Sequence, residues 1–174
     1  MLDELGPLLD IRRFLEAGGP VVKILLAVAV VMWWMILERA LFYRRELPSL
    51  VAGAIAQWEA RTDKSSWYAE KQRRRVLAET ERRIRGPLPA IRAFVAVCPL
   101  LGLLGTVTGM IQVFEVMAVL GTGNAREMAA GVSASTLPTL AGMVLALSGM
   151  YPMQRFQHIV ERETRHVRDR MTLQ

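Results

Sequence analysis

The sequence predicts an all-α integral membrane protein with three transmembrane helices and cytoplasmic helical extensions, the N-terminus outside and the C-terminus inside. Three uncharged runs predict it. Between Arg92 and Glu115 lie 22 consecutive residues without a charge, and between Glu127 and Arg155 another 27. A third run, Ile24 to Leu37, has 14, and Lys23 and the Glu38-Arg39 pair bracket it inside a longer apolar stretch. Runs of about 18 or more apolar residues are long enough to cross a bilayer as helices. They exclude a soluble globular reading, although 174 residues would be enough for a soluble core. Disorder and a coiled coil are excluded by the same runs. A disulfide scaffold is excluded because Cys98 is the single cysteine.

Charge position sets the orientation. Residues 1–20 hold Asp3, Glu4, Asp10 and Glu16 against two arginines, whereas residues 44–92 hold twelve basic and six acidic residues. The tail from Tyr151 has five arginines against three acids. Lys and Arg near span ends mark the cytoplasmic side. The expected order is therefore a periplasmic segment 1–19, a first span 20–43, a cytoplasmic helical segment 44–89, a second span 90–118, a periplasmic turn 119–127, a third span 128–153 and a cytoplasmic C-terminal helix 154–174. A cleaved signal peptide fits poorly, because the N-terminal region is acidic and the first apolar run starts only near residue 20. The basic run Arg73–Arg85 reads as a helical surface near anionic lipid rather than a nucleic-acid site.

Within the first span, Trp33 and Trp34 lie in the apolar run, and Phe42-Tyr43 fall at its inner interface, where aromatics are favoured. Glu38-Arg39 reads as an interfacial pair that snorkels. Residues 49–60 and 66–85 are rich in Ala, Glu, Arg and Leu and read as helices. Gly86-Pro87-Leu88-Pro89 breaks the chain and turns it back to the bilayer, and Gly121-Thr122-Gly123-Asn124 is the outer turn.

The second span carries Gly102, Gly105, Thr106 and Gly109; the third carries Gly131, Ser135, Thr139, Gly142, Ala146 and Gly149 at intervals of three and four. Such small-residue stripes let membrane helices approach closely. They predict a homo-oligomer centred on the second and third spans, with the first on the lipid side, so that a bulky residue at Gly142 would dissociate the ring. Measured from the middle of each uncharged run, Thr106 and Thr139 fall at similar depth, offset by roughly 2 Å at 1.5 Å per residue. Either they line a path or they bond to their own helices. Pro138 predicts a kink that frees a carbonyl near residue 134. Glu115 is the one acid of the second span and reads as an interfacial carboxylate or part of an outer constriction. Enzymatic chemistry is not expected: His158 and His166 are isolated in the tail, no metal set is evident, and Leu147-Ser148-Gly149 has no membrane histidine to serve as base. No cofactor is implied.

The segment Pro99-Leu-Leu-Gly-Leu-Leu-Gly-Thr-Val-Thr-Gly-Met110, with Gly131–Ala146, resembles the ExbB/TolQ/MotA proton-channel family, closest to a short ExbB. The resemblance also covers the first span with its Glu38-Arg39 ending. It implies that Thr106 and Thr139 line the pore, and it matches Glu115 to the family's outer glutamate. The pore glutamate that many ExbB proteins carry falls on Ala134, and its polar neighbour Ser135 is read with Thr106 and Thr139 as lining the proton pathway. The resemblance further implies a pentamer around an ExbD-like single-span partner that brings a membrane Asp, in the bacterial inner membrane, driving a TonB-like protein. A TolQ-like subunit for envelope maintenance and a non-conducting scaffold remain the alternatives.

Overall fold

The computed structural model describes residues 18–120 and 125–171. Most of the expected periplasmic lead, the Gly121–Asn124 turn and the last three residues lie outside the described residues. Five helices account for the rest: α1 Gly19–Arg45, α2 Leu47–Glu59, α3 Trp67–Arg85, α4 Leu88–Leu120 and α5 Ala125–Arg170. Three helical segments are long and apolar enough to cross a membrane, and they contain the uncharged runs of α1, α4 and α5. The chain is a multi-pass, all-helical membrane protein. The third span and the C-terminal helix form one helix of 46 residues; the change near residue 154 is one of composition, from apolar to charged, without a backbone break.

The chain divides into two compact units, one comprising residues up to Trp33 with Ala93–Gly149, the other Trp34–Arg92 with residues from Met150 onward. In the first, each helix buries one narrow seam. Val22, Leu25, Ala29 and Met32 of α1 are buried, as are Val95, Cys98, Gly102 and Gly105 of α4 and Ser135, Pro138, Gly142, Ala146 and Gly149 of α5. The intervals of three and four give the 3.5-residue period of helices packed at a shallow angle. Between the seams the surface stays apolar and exposed, as at Val30, Leu103, Ile111 and Val144. A helix apolar on every side belongs in lipid or a protein core.

In the second unit, α2 and α3 pack on each other as a helical hairpin. Leu47, Val51, Ala54 and Trp58 form the buried face of α2, and Ala69, Thr80 and Ile84 that of α3. The connector is organised by Asp63. Its Oδ1 accepts from the backbone N–H of Ser65 at 3.3 Å and of Ser66 at 3.1 Å, and its other oxygen accepts from the Ser66 hydroxyl. Ser66 in turn caps α3, its Oγ accepting from the Ala69 N–H at 3.1 Å. The hydroxyl and amide of Ser66 hold the Asp63 carboxyl below its ordinary range.

The expected snorkelling of Arg39 is corrected. Its side chain is buried, the residue only 3% exposed, because position 39 falls on the α1 seam that continues through Ile36 and Tyr43. The guanidinium donates to the carbonyls of Arg83, at 2.6 Å, and Ile84. It lies over the rings of Phe42 and Tyr43, 4.1 and 4.8 Å from their centroids. Tyr43 Oη donates to the same Ile84 carbonyl at 3.0 Å. These are the last carbonyls of α3, so a cation meets the negative end of the helix dipole. Arg73 does the same for α5, donating to the carbonyls of Arg168, at 3.3 Å, and Met171. Glu38, by contrast, is exposed.

Candidate functional site

The candidate site lies along the α4–α5 seam, where glycines let one backbone touch another. A Cβ at Gly102 would stand 2.8 Å from the Pro138 carbonyl oxygen and 2.9 Å from Thr139 Cα. One at Gly109 would stand 2.6 Å from Ser135 Cβ, one at Gly131 2.6 Å from Val113 Cγ2, and one at Gly142 2.5 Å from the Cys98 carbonyl oxygen. A Cβ at Gly105 would run into the Pro138 ring and stand 3.2 Å from Val21 of α1, and one at Gly149 would stand 2.8 Å from Val95 Cγ2 and 2.9 Å from the Met32 sulfur. The pairs form an antiparallel ladder in which Val95, Cys98, Gly102, Gly109 and Val113 oppose Gly149, Gly142, Thr139, Ser135 and Gly131.

That ladder revises one expectation. The six glycines are occupied inside one chain, so a bulky residue at Gly142 acts on the α4–α5 hairpin itself rather than on a ring contact. α1 also has its own share of the seam, through Val21 and Met32, beside its exposed face of Ile24, Leu26 and Trp34.

The two threonines are offset. Thr139 stands opposite Gly102 and its Oγ1 donates across to the Gly102 carbonyl at 3.0 Å. Thr106 donates its own Oγ1 proton to the Leu103 carbonyl at 2.7 Å. Because Gly105 faces the Pro138 ring, the neighbours of both threonines stand opposite each other, and the offset in depth is about 3 Å at 1.5 Å per residue, close to that read from the uncharged runs. Ser135 is buried against Gly109 and donates to Val132 O at 2.8 Å. Thr108 and Ser148 are likewise tied to their own helices. α5 runs unbroken through Pro138, whose ring fills the space left by Gly105. Ala134 is half-buried and Glu115 exposed.

The chemistry of this arrangement is specific. Thr106 and Thr139 spend their single protons on carbonyls, so each has only acceptor lone pairs left to offer. Such a pair receives a donor, either water or a protonated acid. No Asp, Glu, His, Lys or Arg occurs from Ala93 to Phe114 or from Met128 to Gln154, and no group of His, Cys, Asp and Glu among the described residues could hold a metal ion.

Sequence reasoning missed the buried role of Arg39. The signal was present: Val22, Leu25, Ala29, Met32, Ile36, Arg39 and Tyr43 recur at three and four, which places the arginine in line with packed residues.

Three apolar helices with a tightly packed small-residue seam and hydroxyls along it define an all-helical membrane protein built around close helix contact. The profile of the MotA/TolQ/ExbB proton channel family matches residues 44–169, and the chain belongs to that family. The match begins at Arg44, so nearly all of α1 stands outside it. A relative from Synechocystis sp., by name an ExbB-like biopolymer transport protein, is 40% identical over 60 residues, or 33% of this chain. That stretch spans 24% of the relative's own length.

Proposed function

We propose that the chain is the ring-forming subunit of an inner-membrane proton channel of the ExbB type, a pentamer around an ExbD-like single-span partner, coupling the proton gradient to a TonB-like protein and outer-membrane transport. One observation carries this reading: in a proton-channel family member, the membrane stretches of α4 and α5 hold no ionisable Asp, Glu, His, Lys or Arg, while Thr106 and Thr139 keep acceptor lone pairs free. A proton crossing a membrane protein normally rides on a buried ionisable group. The carrier is then an acid brought by the partner, and the threonines solvate its protonated form. Ser135, buried toward Gly109, supports the helix contact beside them. Glu115 serves an outer constriction. In this reading the N-terminus is periplasmic, residues 44–92 are cytoplasmic, and the subunit acts as a channel rather than an enzyme.

The test is proton flux into liposomes holding the chain and its partner, read with a pH-sensitive dye. Thr106→Val with Thr139→Val is expected to lower flux at least tenfold with complex yield unchanged. Losing the Thr139 bond to Gly102 costs only about 0.6 kcal/mol, typical of interhelical bonds in membranes. Wild-type flux in the double variant defeats the pore role. Equal flux without the partner's acid defeats the carrier assignment, and zero flux from every wild-type preparation favours the scaffold. Loss of siderophore uptake on deletion, with envelope integrity intact, separates the ExbB-like reading from the TolQ-like one.

A further inference from the structure

In the second unit a cavity of about 390 Å3 opens where α3 gives way to α4, closed on its other side by α5. Its walls combine two chemistries. Leu88, Pro89, Met153 and Val160 are apolar, whereas Arg85, Arg92, Gln157 and Glu161 are polar. Arg92 is the last charge before the 22-residue uncharged run of α4, and Met153 and Gln157 straddle the end of the 27-residue run of α5. The cavity therefore sits where the chain passes from apolar to charged on both helices.

The charges in it are unevenly used. Arg92 is exposed and, among the described residues, makes no ion pair. Arg85 is held at 2.8 Å by Glu81 of its own helix, with its side chain still 59% exposed. Glu161, the acid of the lining, lies 4.0 Å from Arg165, one turn along α5. Two arginines and an amide, over an apolar wall at a membrane boundary, match one kind of occupant. An arginine fork takes two oxygens of a phosphate at once, an amide N–H donates to a third, and the apolar wall suits the start of an acyl chain.

We propose that this cavity is a binding site for an anionic glycerophospholipid, its phosphate between Arg85 and Arg92 and its chains along Leu88 and Met153. The site rests on α4 and α5 being membrane helices and is independent of proton conduction, so the two readings fail separately. Basic pockets between helices on the cytoplasmic side commonly hold such headgroups.

The test uses the full chain in mild detergent, equilibrated with phosphatidylglycerol or phosphatidylcholine and weighed by native mass spectrometry. Wild type is expected to retain phosphatidylglycerol at least fivefold over phosphatidylcholine. Arg85→Gln with Arg92→Gln should lose that preference, while Arg74→Gln with Arg75→Gln, on the exposed face of α3, should keep it. Gln157→Trp, which fills the cavity without removing a cation, should also reduce phosphatidylglycerol retention at least fivefold, and it decides the matter if the double arginine variant does not fold. Undiminished retention in Gln157→Trp overturns the site. An equal loss in the Arg74/Arg75 variant overturns it in favour of diffuse surface charge. Complete displacement of the lipid by millimolar inorganic phosphate overturns the lipid as the occupant.

Discussion

Arg39 and Gly86 depend on each other at the level of single atoms. Gly86 has φ +41, a conformation open to glycine, and a Cβ there would stand 2.7 Å from the Arg39 guanidinium carbon. The guanidinium occupies space at the corner between α3 and α4 that a side chain at residue 86 would share. Gly86→Ala therefore carries two penalties, backbone strain and a clash, whereas Arg39→Gln leaves the Arg83 and Ile84 carbonyls short of a charged donor. Hydrogen bonds to charged groups are worth about 1.5–3 kcal/mol, and Arg39→Gln is expected to cost about that much in unfolding from mixed micelles. The double variant should cost less than the sum of the two singles, because the shorter glutamine removes the clash and leaves the strain. Strict additivity in such a cycle would show that the two residues do not meet.

At the scale of elements, the α4–α5 hairpin and the α3 cap each give a measurable consequence. A side chain at Gly142 must displace the Cys98 carbonyl, which is backbone and cannot swing away. Gly142→Leu is expected to abolish the folded monomer, seen as loss of the monodisperse peak and of protease resistance, while Val144→Ala on the exposed face of α5 leaves the monomer intact and changes at most its assembly. A folded monomer from Gly142→Leu would show that the seam is not closed as described. The cap of α3 is pH-dependent. The Asp63 carboxyl is held below its unfolded value by Ser66, so its contribution is present above the unfolded pKa and is lost as pH falls through the lower folded one. Hydrogen exchange at Ala69 and Glu70 should accelerate on that acid limb, and Asp63→Asn should abolish the pH dependence. An unchanged profile in Asp63→Asn would remove the carboxylate from the cap.

For the whole molecule, the orientation assigned from charge predicts which faces of the membrane the chain shows. A cysteine at Ala118, exposed near the end of α4, is expected to react with an impermeant periplasmic thiol reagent in intact cells, and one at Ser65, in the α2–α3 connector, only after the cells are opened. The native Cys98 is 0% exposed and stays silent. Reversed labelling would invert the charge reading and place the basic α2–α3 hairpin on the outer side. The sequence by itself determined the three apolar spans, the helical class, the short charged hairpin and the small-residue stripes, because uncharged run length and residue size are local properties of the chain. Only the tertiary structure decided what those stripes face, which carbonyls Thr106 and Thr139 bond and where Arg39 goes. The physical reason is that a membrane helix is apolar on every side, so polarity does not mark its packed face. That face is chosen by which backbones can approach, and the approach of α5 to Gly102, of α4 to Gly142, or of a guanidinium to Gly86 exists only once two distant segments are folded together.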